Sequence, residues 1–312
     1  MKKVLFPIGR NLNYGFPNHP LTSLRLKKTI EIAKQMKLFE RENLIVKEVE
    51  NFGEDILYLF HTKEHVEFVK QSSKIGKGFL DYGDTPSYKG VFENSLAAVE
   101  ASLMIAKEIL NGNVNKGFNI AGGLHHAYPD RSAGFCVFND IGVSINYIFK
   151  EFKIKRILYV DIDAHHGDGV FYSFYNNPKV WIADIHQLPL YPGTGFEFER
   201  GEGEAEGTKL NIPIPPNSSD KELLNAIEKI INFGKEAKPE IIILQAGADG
   251  INGDPLTQLK YSLHAHLKAV KAISSLADEI CNGKLIVVGG GGYNIENVSK
   301  AWANILDFLT SS

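Results

Sequence analysis

The segment Asp161-Ile162-Asp163-Ala164-His165-His166-Gly167-Asp168-Gly169 places three carboxylates and two imidazoles directly after the apolar run Ile157-Leu158-Tyr159-Val160. Ionised carboxylates are costly at the end of a buried strand unless a cation or hydrogen bonds compensate them. Asp oxygen and His nitrogen suit Zn²⁺, which they bind at about 2.0–2.2 Å. Asp163 and His165 are two residues apart, so in extended chain they point the same way and can share one ion. Asp249, in Gly247-Ala248-Asp249-Gly250, supplies a third ligand from another strand end. Three protein ligands leave one position open, as a catalytic zinc requires.

A second cluster, Gly122-Gly123-Leu124-His125-His126-Ala127, contains adjacent histidines. Were both ligands, the metal would have no open position. They are better used in proton transfer, because an imidazole titrates near neutral pH. Asp161 and Asp168 flank the metal segment and can each orient one of the rings. Tyr293 follows the run Gly289-Gly290-Gly291-Gly292 and can aim its hydroxyl at a developing oxyanion. The glycines match neither G-x-G-x-x-G nor a phosphate loop with its lysine, so they are not read as a phosphate cradle. His61-Thr62-Lys63-Glu64-His65 matches H-x-x-E-H. No third ligand is signalled there, and Leu57, Phe60 and Val66 suggest ordinary packing. His264 and His266 are read as solvated residues of a helix.

Short apolar runs predict the strands that carry these residues: Val4-Leu5-Phe6, Phe118-Asn119-Ile120, Ile157 to Val160, Val180-Trp181-Ile182, Ile241 to Leu244 and Leu285 to Val288. Near-continuous hydrophobicity in such runs indicates a parallel sheet. Between them, Leu96, Val99, Leu103, Ala106 and Leu110 mark one helical stripe. Ser219 and Glu222 form a capping box ahead of Leu223, Leu224, Ile227, Ile230 and Ile231. A third helix is predicted from about Thr257 to Ile280. The alternation gives an α/β fold: one domain over residues 1–312, with a mostly parallel sheet and helices on both faces. The segment Gln187 to Pro216 reads as a long functional loop. Each polar cluster follows a predicted strand, and ligands of open α/β sheets bind beyond the carboxyl ends of strands.

Composition narrows the function classes. Of 312 residues, 44% are hydrophobic and 23% charged, and the net charge is -3. Such a chain builds a large core and offers no basic footprint for nucleic acid or anionic membrane. The two cysteines, Cys136 and Cys281, suit a reducing compartment. The N-terminal apolar run is too short for a signal peptide, and no stretch approaches the roughly 18 apolar residues of a membrane span. The expectation is a soluble cytoplasmic protein.

Taken together, the motifs resemble those of the histone deacetylase superfamily, within the arginase–deacetylase fold. They are His125-His126 followed by Gly134-Phe135-Cys136, Asp-x-Asp-x-His-His-Gly-Asp-Gly, Gly-Ala-Asp with Gly253-Asp254-Pro255, and Gly-Gly-Gly-Gly-Tyr. The likeness runs from His19-Pro20 and Arg25 to Tyr293-Asn294 and is nearest to prokaryotic deacetylase-like amidohydrolases. It implies one Zn²⁺ on Asp163, His165 and Asp249. It implies His126 as main general base and acid with Asp168, and His125 as an electrostatic partner with Asp161. Tyr293 would polarise the acyl carbonyl. Gly134, Phe135 and Tyr191 would line an apolar tunnel, with Leu256 near its entrance and Asp84 at its rim. Arg25 would lie in an interior channel that releases the acid product. A structural K⁺ beside the Asp161–His165 main chain is also implied.

The resulting reading is a zinc deacetylase acting on N-acyl lysine or a similar acylated primary amine. Acetylpolyamines and small acylated metabolites are alternative substrates. Leu256 stands where polyamine deacetylases carry an acidic gatekeeper, and Tyr191 replaces an aromatic of another type. A dimanganese ureohydrolase would need more carboxylates than Asp249 and then only Asp254. A non-enzymatic acyl-amine binder would not need the full set of site residues.

Overall fold

In the computed structural model, which describes residues 2–311, the chain alternates strands and helices. In order these are β1 (Val4–Ile8), α1 (Leu24–Gln35), β2 (Leu44–Glu48), α2 (Lys63–Ile75), α3 (Val91–Leu110), β3 (Lys116–Asn119), α4 (Asp140–Glu151) and β4 (Ile157–Asp161). There follow α5 (Asp168–Ser173), β5 (Val180–Gln187), β6 (Lys209–Ile214), α6 (Asp220–Ala237), β7 (Ile241–Gln245), α7 (Leu263–Ile280), β8 (Leu285–Val288) and α8 (Ile295–Thr310). The strands form one eight-stranded sheet in the order β2-β1-β3-β8-β7-β4-β5-β6. Every pairing is parallel.

Alternation along each central strand divides the core between the two faces of the sheet. Leu158, Val160, Ile242, Leu244, Leu285 and Val287 pack on one side with residues of α1, α6, α7 and α8. Ile157, Tyr159, Ile241, Ile243, Ile286 and Val288 pack on the other, with Met104, Ile105 and Ile109 of α3 and Ile141, Ile145 and Ile148 of α4. The expected parallel sheet with helices on both faces is therefore observed.

Three expectations need correction. Residues 187–216 are not one loop, because β6 adds an edge strand beside β5. Its Pro213 hides the strand pattern, yet proline is tolerated where a strand has a free edge. β2, the other edge, was missed because Lys47 and Glu48 interrupt its short apolar run. The helix expected from Thr257 starts at Leu263, where the Ser262 side chain accepts from Ala265 N at 3.0 Å. On that helix His264 is exposed, but His266 is buried and its Nε2 meets Gly247 O at 2.8 Å. The helix thus begins nearly two turns later than expected, and His266 lies on its buried face. The predicted capping box of α6 is present, with Glu222 accepting from Ser219 N at 2.8 Å.

Candidate active site

The four polar clusters follow β3, β8, β7 and β4, which are immediate neighbours in the sheet. Distant parts of the sequence thus converge on one crevice. Asp163, His165 and Asp249 present ligand atoms that all lie within 4.8 Å of one another. Each carboxylate commits one oxygen to the protein. Asp163 Oδ2 accepts from Gln245 Nε2 and Gly291 N, both at 2.7 Å. Asp249 Oδ1 accepts from Ala164 N at 2.8 Å. The remaining oxygens turn to His165 Nδ1, at 3.1 Å from Asp163 and 2.9 Å from Asp249.

This donor set fits a divalent cation. Burial and the neighbouring Asp163 push the Asp249 carboxyl up to about 7. Burial opposes protonation of His165, but Asp163 and Asp249 outweigh it and raise the ring to about 10. The carboxylates draw a positive charge onto the point where an ion would sit. Close approach is possible because Gly291 has no side chain: a Cβ there would lie 2.2 Å from Asp249 Oδ2. Among the described residues, this is the only group of three or more His, Cys, Asp or Glu side chains placed to hold one metal ion.

Beside it lie the paired histidines. His125 Nδ1 is 2.7 Å from Asp161 Oδ2, and His126 Nδ1 is 2.6 Å from Asp168 Oδ1. Their Nε2 atoms face each other at 3.1 Å. Burial would lower the His125 pKa, but Asp161 and Asp163 raise it to about 10. For His126, burial and then the charge on His125 prevail over Asp168 and lower the pKa from 6.5. The surroundings thus push His125 toward the charged form and His126 toward the neutral one. Both carboxylates are further braced, Asp161 by Tyr159 Oη at 2.5 Å and Asp168 by Tyr128 Oη at 3.0 Å.

A cavity of about 230 Å³ leads to these groups. Its walls include Gly134, Phe135, Leu190, Tyr191 and Leu256, with Asp84 on the lining and His126, His165 and Tyr293 facing the same space. The Tyr191 ring stands 5.1 Å from His126, and the Tyr293 ring 5.8 Å from Phe135. Phe135 is held at φ 68, a conformation costly for a bulky residue. Tyr14 Oη donating to Phe135 O at 2.7 Å and Phe135 N donating to Thr85 Oγ1 at 3.1 Å maintain it. Gly134 has φ 53, and a Cβ there would come within 2.4 Å of the His126 ring. Behind Tyr293, Arg25 is buried below the glycine run, donating to Gly290 O at 2.6 Å and lying over Trp302. Its Nε and Nη2 have no hydrogen-bond partner among the described residues.

Other histidines are spent elsewhere. His166 turns away from the ligand cluster to Thr194 Oγ1, at 2.8 Å, and packs on His186. The H-x-x-E-H segment makes no ligand cluster. His61 Nε2 accepts from Asn139 N at 2.9 Å, His65 Nε2 meets Val137 O at 3.0 Å, and Glu64 is exposed. Sequence reasoning missed Tyr14, Tyr128, Thr85 and Gln245. Only Gln245 carried a signal, as a buried polar residue closing an apolar strand.

A family model described as the histone deacetylase domain matches residues 19–309. The Acetoin utilization protein AcuC of Staphylococcus xylosus is 34% identical over 306 residues, covering 94% of this chain and 79% of that protein. The AcuC protein of Bacillus subtilis (strain 168) is 36% identical over 301 residues, covering 92% and 76%. In fold, the HDA15 HD domain crystal structure matches with a TM-score of 0.91 at 24% identity, covering 100% of this chain and 89% of that one. With a match from residue 19 to residue 309, the chain belongs to the histone deacetylase family and is a hydrolytic, metal-dependent deacetylase.

Proposed function

We propose that the protein hydrolyses the amide of N-acyl lysine, acetyl above all, with one Zn²⁺ held by Asp163 Oδ1, His165 Nδ1 and Asp249 Oδ2. The observation that carries this reading is the convergence of three ligand atoms beside His126 and Tyr293 at the base of one cavity. Bound there, Zn²⁺ supplies Lewis acidity and lowers the pKa of water.

The chain's own residues do the rest. Phe135 and Tyr191 enclose the alkyl chain and exclude water, and Asp84 at the rim accepts from substrate amide groups. His126, whose pKa is lowered by burial and then by the neighbouring His125, takes the proton of the attacking water at Nε2 and passes it to the leaving amine. Asp168 holds His126 by Nδ1 and fixes its tautomer. His125 keeps a positive charge beside the reacting centre through Asp161. Tyr293 Oη donates to the acyl oxygen as negative charge develops on it. Arg25, with two unpartnered nitrogens, attracts the carboxylate product toward the interior.

A structural K⁺ beside the Asp161–His165 main chain belongs to the same reading. Asp161 and Asp184 are fully buried, and a Cβ on Gly167 would lie 2.6 Å from one and 3.3 Å from the other. A monovalent cation would neutralise that shared space. No helix among the described residues is long and apolar enough to cross a membrane; a cytoplasmic site of action is part of the same proposal.

The test is turnover of an acetyl-lysine peptide, its loss with a chelator and its return with Zn²⁺. A metal-loaded enzyme inert toward acyl-lysine peptides yet active on acetylpolyamines would replace this substrate with the alternative.

A further inference from the structure

Tyr293 is the one proposed catalytic group that stands on intrinsically loose chain. It follows four glycines, two of which have left-handed backbone, Gly290 at φ 118 and Gly292 at φ 133. Glycine admits many conformations, so this run cannot by itself aim a phenol. The hydroxyl of Tyr293 makes no hydrogen bond among the described residues, and the ring is held only by edge-on packing against Phe135 and His165.

The main chain of Tyr293 is instead anchored by Asp254. Asp254 Oδ2 accepts from Tyr293 N at 2.7 Å and from Asn294 N at 3.3 Å. Asp254 Oδ1 accepts from Leu256 N at 3.0 Å. Hydrogen bonds to an ionised acceptor are stronger than neutral ones. Asn294 then caps α8 through Glu296 N and Asn297 N, both at 3.2 Å, and its Nδ2 returns to Gly253 O at 3.1 Å. The turn after β7 is thus stitched to the start of α8, with one carboxylate at the seam.

We propose that Asp254 is a positioning residue that sets Tyr293, the oxyanion donor, and Leu256, the tunnel wall, at the same time. The proposal rests on the role given to Tyr293 above. Asp254 itself lines neither the main cavity nor the ligand cluster. Its effect on rate passes through the residues whose amides it holds. Replacing one of its oxygens by an amide nitrogen leaves a backbone N–H facing another donor.

The experiment is a double-mutant comparison using the metal-loaded enzyme. Asp254→Ala should lower kcat by about 10- to 100-fold, the usual cost of removing a supporting partner. In a Tyr293→Phe background, already slower by about 10²–10³, the same change should cost less than about threefold, because coupled sites are not additive. Bound metal per chain should be unchanged. Equal losses in both backgrounds, loss of metal, or wild-type kcat in Asp254→Ala would each overturn the proposal. Should the alanine variant fail to fold, Asp254→Asn serves in the same cycle. A second readout does not need acyl-lysine turnover. With 3-fluorotyrosine incorporated, the ¹⁹F resonance missing from Tyr293→Phe identifies Tyr293. That resonance should shift or broaden in Asp254→Asn. An unmoved signal overturns the positioning role, whereas absent turnover with a moved signal overturns only the substrate reading.

Discussion

His125 Nε2 faces His126 Nε2 at 3.1 Å, so charge on one imidazole bears directly on the other. Burial lowers the pKa of both rings, but Asp161 and Asp163 outweigh it at His125 and raise that ring to about 10. At His126, burial and then the neighbouring His125 lower the pKa.

This arrangement fixes the sign of a pH effect. As the general base proposed above, His126 would act when neutral, so kcat/KM should fall as pH drops through a His126 pKa below 6.5. Asp161→Asn removes the main charge that keeps His125 protonated. The His126 pKa then rises, and the acidic limb of the kcat/KM profile moves to higher pH. A limb that stays fixed, or moves toward acid, refutes the coupling.

Removal of a ligand should act on metal content before it acts on fold. Asp249→Ala leaves two donors and should bring bound zinc below about one tenth of an equivalent per chain after dialysis, since three protein ligands define such a site. Elemental analysis measures this directly. Wild-type protein should also melt higher with Zn²⁺ than after chelation, because a ligand that binds only the folded state stabilises it. Full metal retention in the variant would rule out the ligand set.

Substrate choice should respond to position 256. Leu256 is half-buried in the cavity wall, and an acid there would face a cationic polyamine. Leu256→Glu should raise kcat/KM for an acetylpolyamine relative to an acetyl-lysine peptide by about three- to fivefold, the scale of a partly exposed ion pair. A competition assay with both substrates reads the ratio, and an unchanged ratio removes Leu256 from the specificity argument.

Gly134 offers a steric test. Alanine there meets the His126 ring and also takes an unfavourable φ of 53. Gly134→Ala should lower kcat at least about tenfold, since small misplacements of a catalytic group are expensive. Metal content should hold, because the clash is with His126 and not with a ligand. Normal kcat would show that His126 tolerates displacement.

Much of the centre was legible because its chemistry is encoded at short range. Asp163 and His165 are two residues apart and need only extended chain to point together. The adjacent His125 and His126, followed by the resemblance to a known family, fixed the remaining expectations. What stayed hidden depends on tertiary contact. Asp254 was weighed only as a spare carboxylate, since nothing local says that it holds the amide of Tyr293, 39 positions away. Tyr14 supports Phe135 across 121 positions of sequence, which no spacing rule can detect. His266 looked solvated because its partner, Gly247 O, lies 19 positions away in the turn after β7. The edge strands β2 and β6 were obscured by the charges and proline that edges tolerate.

The groups of the crevice come from turns after β3, β4, β7 and β8, and the last of these joins the sheet between β3 and β7. No contiguous half of the polypeptide therefore owns a working centre. The turn that carries Gly291 and Tyr293 meets the other groups only where β8 pairs with β3 on one side and β7 on the other. A fragment that lacks β8 should therefore show no hydrolysis.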